Sequence, residues 1–148
     1  MTFKNKSELE EFLLNKSAYA LKNAQNIIYD IIQKFVREFY ADYSPEMYER
    51  TYQLYNSLVK SGVEWNGGTG YTVYVYFDYN SLNYITGAQP SGEQVMDAAA
   101  WGFHGAEGLR MVRGETGVNI WRDPMRYISA EAINILKEKL IEQGIPIK

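Results

Sequence analysis

His104 is the only histidine in the chain, set in Trp101-Gly102-Phe103-His104-Gly105. Its imidazole is the side chain most able to change charge near neutrality, so it is the first candidate for acid–base or metal chemistry. Either role needs partners. The nearest acids in sequence are Asp97 and Glu107, and one His with two scattered carboxylates makes neither a zinc site nor a facial triad. A Ser–His–Asp triad assembles in space, yet no Gly-x-Ser-x-Gly elbow accompanies this histidine. The residues favour a turn histidine between glycines that makes one hydrogen bond. Glu46 with Glu49, or Glu107 with Glu115, could be paired for glycoside hydrolysis, which needs two carboxylates with separated pKa values in an aromatic cleft. With 18 acidic residues in the chain, such pairs arise by chance. Cysteine is absent, which removes thiol nucleophiles, disulfides and Cys-based metal sites.

Glycines at 102, 105, 108, 114 and 117 punctuate one segment. The chain has no Gly-Lys-Ser or Gly-Lys-Thr, so this is not a phosphate loop of the Walker type. Gly-x-x-Gly-x-x-Gly from Gly102 to Gly108 follows no strand in this reading and is no dinucleotide fingerprint. The same segment holds Arg110, Arg113, Arg122 and Arg126, with Trp121 and Tyr127 beside them. Arg and Trp are enriched in interface hot spots. Clustered arginine on a loop can also face DNA phosphates or simply stand in solvent. Glu107, Glu115 and Asp123 dilute the positive field. The reading is a subunit or partner interface over 105–127, with passive contact to DNA as an alternative. Net charge is −3, which disfavours a sequence-independent grip on nucleic acid.

Tyrosine is abundant, with 13 in 148 residues. Its apolar ring and polar tip suit half-buried strands and interfaces. Tyr71 to Tyr79 alternates as a strand, with Val73, Val75 and Phe77 on one face and Thr72, Tyr74, Tyr76 and Asp78 on the other. Tyr74 and Tyr76 are therefore interface candidates.

The elements that position these residues read as follows. Residues 7–40 form one helix, opened by a Ser7–Glu10 capping box and free of Gly and Pro. Its apolar stripe is widest from Ile27 to Phe39, and Ile28, Ile31, Ile32 and Phe35 are expected on the sheet. Such a helix would run about 50 Å, longer than the ~30 Å span of a small domain, so part of it must project, bend or meet a neighbour. Ser44-Pro45 opens a short helix over 45–56. Leu58 to Trp65 is a strand bulged near Ser61-Gly62, and Asn66-Gly67 turns it into the tyrosine strand, giving a hairpin over 58–79. Ser91 or Gly92 caps a helix over Glu93–Phe103. Ser129 caps a last helix at 129–143, with Ile133, Leu136, Leu140 and Ile141 facing inward and Gly144 and Pro146 stopping it. Nothing divides the chain, so 1–148 reads as one α+β domain: a long N-terminal helix packed on a small antiparallel β-sheet, with two or three shorter helices. No run of about 18 apolar residues predicts a membrane span, and the N-terminus lacks the apolar core of a signal peptide.

Tyr-Ser-Pro-x-x-Tyr-x-Arg-Thr-x-x-Leu-x-x-Ser at 43–57, the hairpin after it and Gly-Phe-His-Gly at 102–105 resemble head–tail joining and tail-completion proteins of long-tailed bacteriophages. The resemblance covers Tyr43 to Trp121. It implies a long helix before a small antiparallel sheet, a further helix packed on that sheet, and a glycine-containing loop reaching a neighbouring subunit. It also implies a virion structural protein forming a homo-oligomeric ring, expected six-fold, at the phage neck or tail junction. The implied partners are other copies and neighbouring neck, portal-side or tail-tube proteins. The protein would be made in the host cytoplasm and end in the virion, with no cofactor, no metal, no catalysis and no membrane. The alternative is a small non-enzymatic binding module or inhibitor acting on a protein partner.

Overall fold

A computed structural model describes residues 2–42, 53–68, 70–82, 91–94, 96, 103–104, 110–111 and 120–147. The first helix, α1, spans Lys6–Asp42. Its cap is Asn5 rather than Ser7. The Asn5 side-chain oxygen accepts the Glu8 amide at 2.9 Å, while the Glu8 carboxylate reaches back to the Lys4 amide at 2.7 Å. The logic of a capping box holds, but it begins two residues earlier, because Asn caps as well as Ser. Lys6–Glu10 and Lys34–Glu38 pair one turn apart on the exposed side, which adds only tenths of a kcal/mol each.

The buried seam of α1 is Ala20, Ala24, Ile32, Val36 and Phe39, with Ile28 packed against it. Four-residue steps form one continuous ridge along a helix. Ile31 and Phe35, expected on the same face, lie beside this ridge and are half-buried. The core gathers around the C-terminal third of α1, where Ile32, Val36 and Phe39 meet Leu54, Leu58, Phe77, Leu82, Met96 and Ile120.

Helix α2, Gln53–Ser57, leads directly into the hairpin. Ser57 is fully buried, and its hydroxyl donates to the Leu54 carbonyl at 2.8 Å. The hairpin has four short strands: β1 Leu58–Lys60, β2 Glu64–Trp65, β3 Tyr71–Thr72 and β4 Val75–Phe77. β1 pairs antiparallel with β4, and β2 with β3. Leu58 faces Phe77 and Lys60 faces Val75, whereas Glu64 faces Thr72 and Trp65 faces Tyr71. Residues 61–63 thus stand opposite only 73–74, so the extra residue is a bulge on the first strand. The bulge at Ser61-Gly62 was expected; the matching interruption at 73–74, in a strand read as continuous over 71–79, was not. The turn falls where Asn-Gly marks it but is longer than a two-residue loop: the Asn66 amide donates to the Gly70 carbonyl at 3.0 Å, and the Gly70 amide to the Asn66 side chain at 2.9 Å, so Asn66 flanks the turn.

After β4, Asp78 caps a 3-10 turn at Tyr79–Ser81. Gly92 lies against it, and a Cβ there would collide with the Tyr79 carbonyl. Ser91 and Gln94 cap each other reciprocally, amide to side chain, at 2.9 and 3.2 Å, as expected for the helix that starts there. That helix does not reach Phe103, which lies in β5, Phe103–His104, paired antiparallel with β6, Arg110–Met111.

The last helix, α3, spans Arg122–Glu142. It starts seven residues before 129, so Ser129 is an interior residue and not a cap. Residues 122–127, read as the end of an irregular loop, are its first turns. Pro124 fits there because the first turn has no use for its missing N–H, and Asp123 suits the positive helix end. The expected inward face is also corrected. Ile133 and Ile141 are 68% and 57% exposed, while Pro124 is buried and Ile128 packs on the core. The early start shifts the register of the buried line. The C-terminus closes as a Schellman motif: Gly144 has φ 80°, its amide donates to the Ile141 carbonyl at 2.8 Å, and the Ile145 amide to that of Leu140 at 3.0 Å.

α3 makes the most extensive contact with α1 of any element. Its N-terminal turns sit at the core, through Ile120 and Ile128. It therefore runs back along α1. The fold is α+β, with a long N-terminal helix, small antiparallel two-stranded sheets and shorter helices.

Candidate interaction surfaces

The hairpin is fixed to α1 by one buried polar side chain. Gln25 is 3% exposed, and its amide donates to the Ser61 carbonyl at 3.1 Å and the Tyr74 carbonyl at 2.8 Å. These are the carbonyls of the bulge, where the regular ladder is broken. The Ser61 amide donates to the Tyr74 carbonyl at 3.0 Å, and the Tyr74 amide donates to the Ser61 hydroxyl at 2.8 Å. The backbone of Tyr74 is thus tied on both sides. Its ring points outward, as does that of Tyr76, each about half exposed. Val75 and Phe77 face the core between and after them. The strand alternation therefore places Tyr74 and Tyr76 on one outer face, as the sequence predicted.

A polar ladder runs beside the seam. Lys60 donates to the Asn26 side chain at 2.9 Å and sits 4.6 Å from the centre of the Tyr29 ring. Gln33 donates to the Tyr29 hydroxyl at 3.0 Å, and Arg37 donates to Gln33 at 2.9 Å and to the Tyr55 hydroxyl at 3.1 Å. Asn26, Tyr29, Gln33 and Arg37 follow helical spacing, so this ladder joins one face of α1 to β1 and α2.

The second surface is the start of α3. Trp121, Arg122, Met125, Arg126, Ser129 and Ala130 line a shallow, open depression. Trp121 and Met125 are large apolar side chains in water there. The Arg122 guanidinium pairs with Asp123 at 3.0 Å. Arg126 is exposed one turn further on.

The match to a sequence model of a known family covers residues 5–143. The chain belongs to the YomN family. The matched span begins at the Asn5 cap of α1 and ends at Gln143, the C-cap of α3, so the YomN unit is the helix-to-helix fold described above. No curated protein matches the chain, and no solved structure does.

Three of the seven predicted interface residues, Trp121, Arg122 and Arg126, come together on the α3 depression. Tyr74 and Tyr76 form a separate face on the hairpin. Arg110 lies in β6 with its backbone alone described; Arg113, Glu46, Glu49, Glu107 and Glu115 lie outside the described residues. His104 pairs with Arg110 across β5 and β6, so its backbone is strand and not a turn between glycines. Among the described residues no group of three His, Asp or Glu could hold a metal ion, and no helix is long and apolar enough to cross a membrane. Sequence reasoning missed Gln25. Its signal was a polar residue inside the apolar stripe, at helical spacing from Leu21, Ile28 and Ile32.

Proposed function

We propose that the chain is a virion structural protein that acts by assembly at the phage neck or tail junction, in tail completion or head–tail joining, and catalyses no reaction. One observation carries this reading. Among the described residues, large apolar side chains stand in water at several separate places on a small fold, among them Leu9, Leu13 and Leu14 on α1, Tyr74 and Tyr76 on the hairpin, Trp121 and Met125 at the start of α3, and Ile133 and Ile141 further along it. An inhibitor or binding module for one partner needs one such patch. Several patches on different elements suit a component held between neighbours on several sides, some of them copies of itself in a ring. The residues at 43–57 supply the setting, through their resemblance to neck proteins. The tied backbone of Tyr74 supports the same reading, since a ring on a rigid strand loses little entropy when it is covered.

Electron microscopy of particles made with and without this gene tests the proposal. Loss of the gene should leave unjoined heads and tails, and the chain should be found by peptide mass spectrometry in complete particles. Normal joined particles that lack the chain would overturn it.

A further inference from the structure

Asn66 is the one asparagine of the chain that precedes a glycine. Asparagine amides are thermolabile, because the backbone nitrogen of the next residue can attack them. Local backbone decides whether it does. Asn15, Asn23 and Asn26 lie in α1, Asn56 in α2 and Asn134 in α3. The amide that follows each of them belongs to the helical ladder and points along the helix axis. Asn66 lies outside helix and strand, and both it and Gly67 are exposed. Gly67 has φ 79°, and nothing stands within 4 Å of the place a Cβ would take. Its nitrogen is therefore uncrowded. The Gly70 amide donates to the Asn66 Oδ1 at 2.9 Å. A donor there draws electron density from Cγ and meets the charge that grows on the oxygen during attack. The Nδ2 that must leave donates to the Thr72 hydroxyl at 3.5 Å, the long limit of a hydrogen bond.

We propose that Asn66-Gly67 is a site of spontaneous covalent modification, by deamidation through a succinimide. The Gly67 nitrogen gives its proton to solvent and bonds to the Asn66 Cγ. The Cγ–Nδ2 bond breaks, and Nδ2 takes up a proton and leaves as ammonia. Water then opens the five-membered ring at either carbonyl, leaving aspartate or isoaspartate at 66. The net change is water consumed and ammonia released, with no redox step. Both products add a negative charge at the tip, near the exposed Glu64. An aspartate keeps an acceptor for the Gly70 amide. An isoaspartate routes the backbone through Cβ and lengthens the turn by one carbon. That change falls beside the closing bond from the Asn66 amide to the Gly70 carbonyl, and next to the Trp65–Tyr71 pair, whose ring centres are 5.1 Å apart. The hairpin tip therefore loosens as the protein ages, while the Gln25 contacts at the bulge remain.

Ageing the folded full chain at mildly alkaline pH tests this, with peptide mass spectrometry to locate each change. A parallel sample unfolded in urea sets the clock, and the incubation runs until that sample has converted at Asn66. The folded chain should gain about 1 Da at Asn66 before any other asparagine. An isoaspartyl methyltransferase should label the aged protein there, and the NMR signal of the Trp65 indole should shift as the label appears. Gly67→Ala should slow the conversion several-fold, since a methyl group crowds the attacking nitrogen. Because that variant strains the turn, Asn66→Gln serves beside it. It keeps a side-chain amide but would need a six-membered ring, so the modification at 66 should be lost. Circular dichroism checks that both variants are folded. An Asn66 that stays an amide in the folded chain would overturn the proposal. So would another asparagine that converts first, or Gly67→Ala converting as fast as the wild type.

Discussion

The two ends of α1 are built for different tasks. Its C-terminal third is closed: Ile32, Val36 and Phe39 lie under the hairpin, α2 and the start of α3, and Gln25 one turn before Ile28 satisfies the carbonyls of the bulge. Its N-terminal third carries a well-made cap and i,i+4 pairing, yet leaves Leu9, Leu13 and Leu14 in water. Helix formation is therefore no guide to burial here. The same continuous element supplies the core at one end and an apolar surface at the other. Substitutions at the two ends should separate stability from association.

The largest loss of stability is expected at the closed end. Phe77→Ala removes a buried ring from the centre of the core and should cost about 3–5 kcal/mol in urea unfolding. A loss near zero would mean that the hairpin does not close that core. Gln25→Ala should cost less, about 1–3 kcal/mol, because the Ser61 carbonyl loses its partner while the Tyr74 carbonyl keeps the Ser61 amide. The same variant should loosen the hairpin, seen as broadened or shifted NMR signals for Ser61 and Tyr74. Unchanged signals there would remove Gln25 as the pin. Gly144→Ala forces a Cβ into a left-handed conformation at the end of α3 and should cost about 1–2 kcal/mol. Leu13→Asp, at the open end, should shift the unfolding midpoint least, within about half a kcal/mol, as surface substitutions usually do. A shift as large as that of Phe77→Ala would place Leu13 in the fold and erase the comparison.

Much of this fold was legible in the sequence because local rules decided it. The absence of Gly and Pro kept α1 whole, Asn66-Gly67 fixed the hairpin turn, and alternation set Tyr74 and Tyr76 outside Val75 and Phe77. Gly144 ended α3 where a left-handed residue was expected. Features that depend on tertiary fit were less visible. Of the four residues expected on the seam of α1, Ile28 and Ile32 lie on it and Ile31 and Phe35 lie beside it, because a wide stripe of isoleucines does not say which line faces the core. α3 was started late because Arg122-Asp123-Pro124 reads as a loop until Pro is allowed its place in a first helical turn. Ile133 and Ile141 looked like core by spacing and are not. Of the candidate site, residue types alone drew Trp121, Arg122 and Arg126 together. The leucines at 9, 13 and 14 were not seen as an exposed apolar surface, since an N-terminal stripe was read only as less well buried.

Amide hydrogen exchange at low and high protein concentration tests the assembly claim most directly, because it reads both ends of α1 in one sample. Dilute protein should protect amides at 20–39 nearly as well as global stability allows, while those at 8–14 exchange fast through local opening. Concentrated protein should slow exchange at 8–14 and around 121–126 and leave 20–39 unchanged. Equal protection of 8–14 at both concentrations would contradict the account.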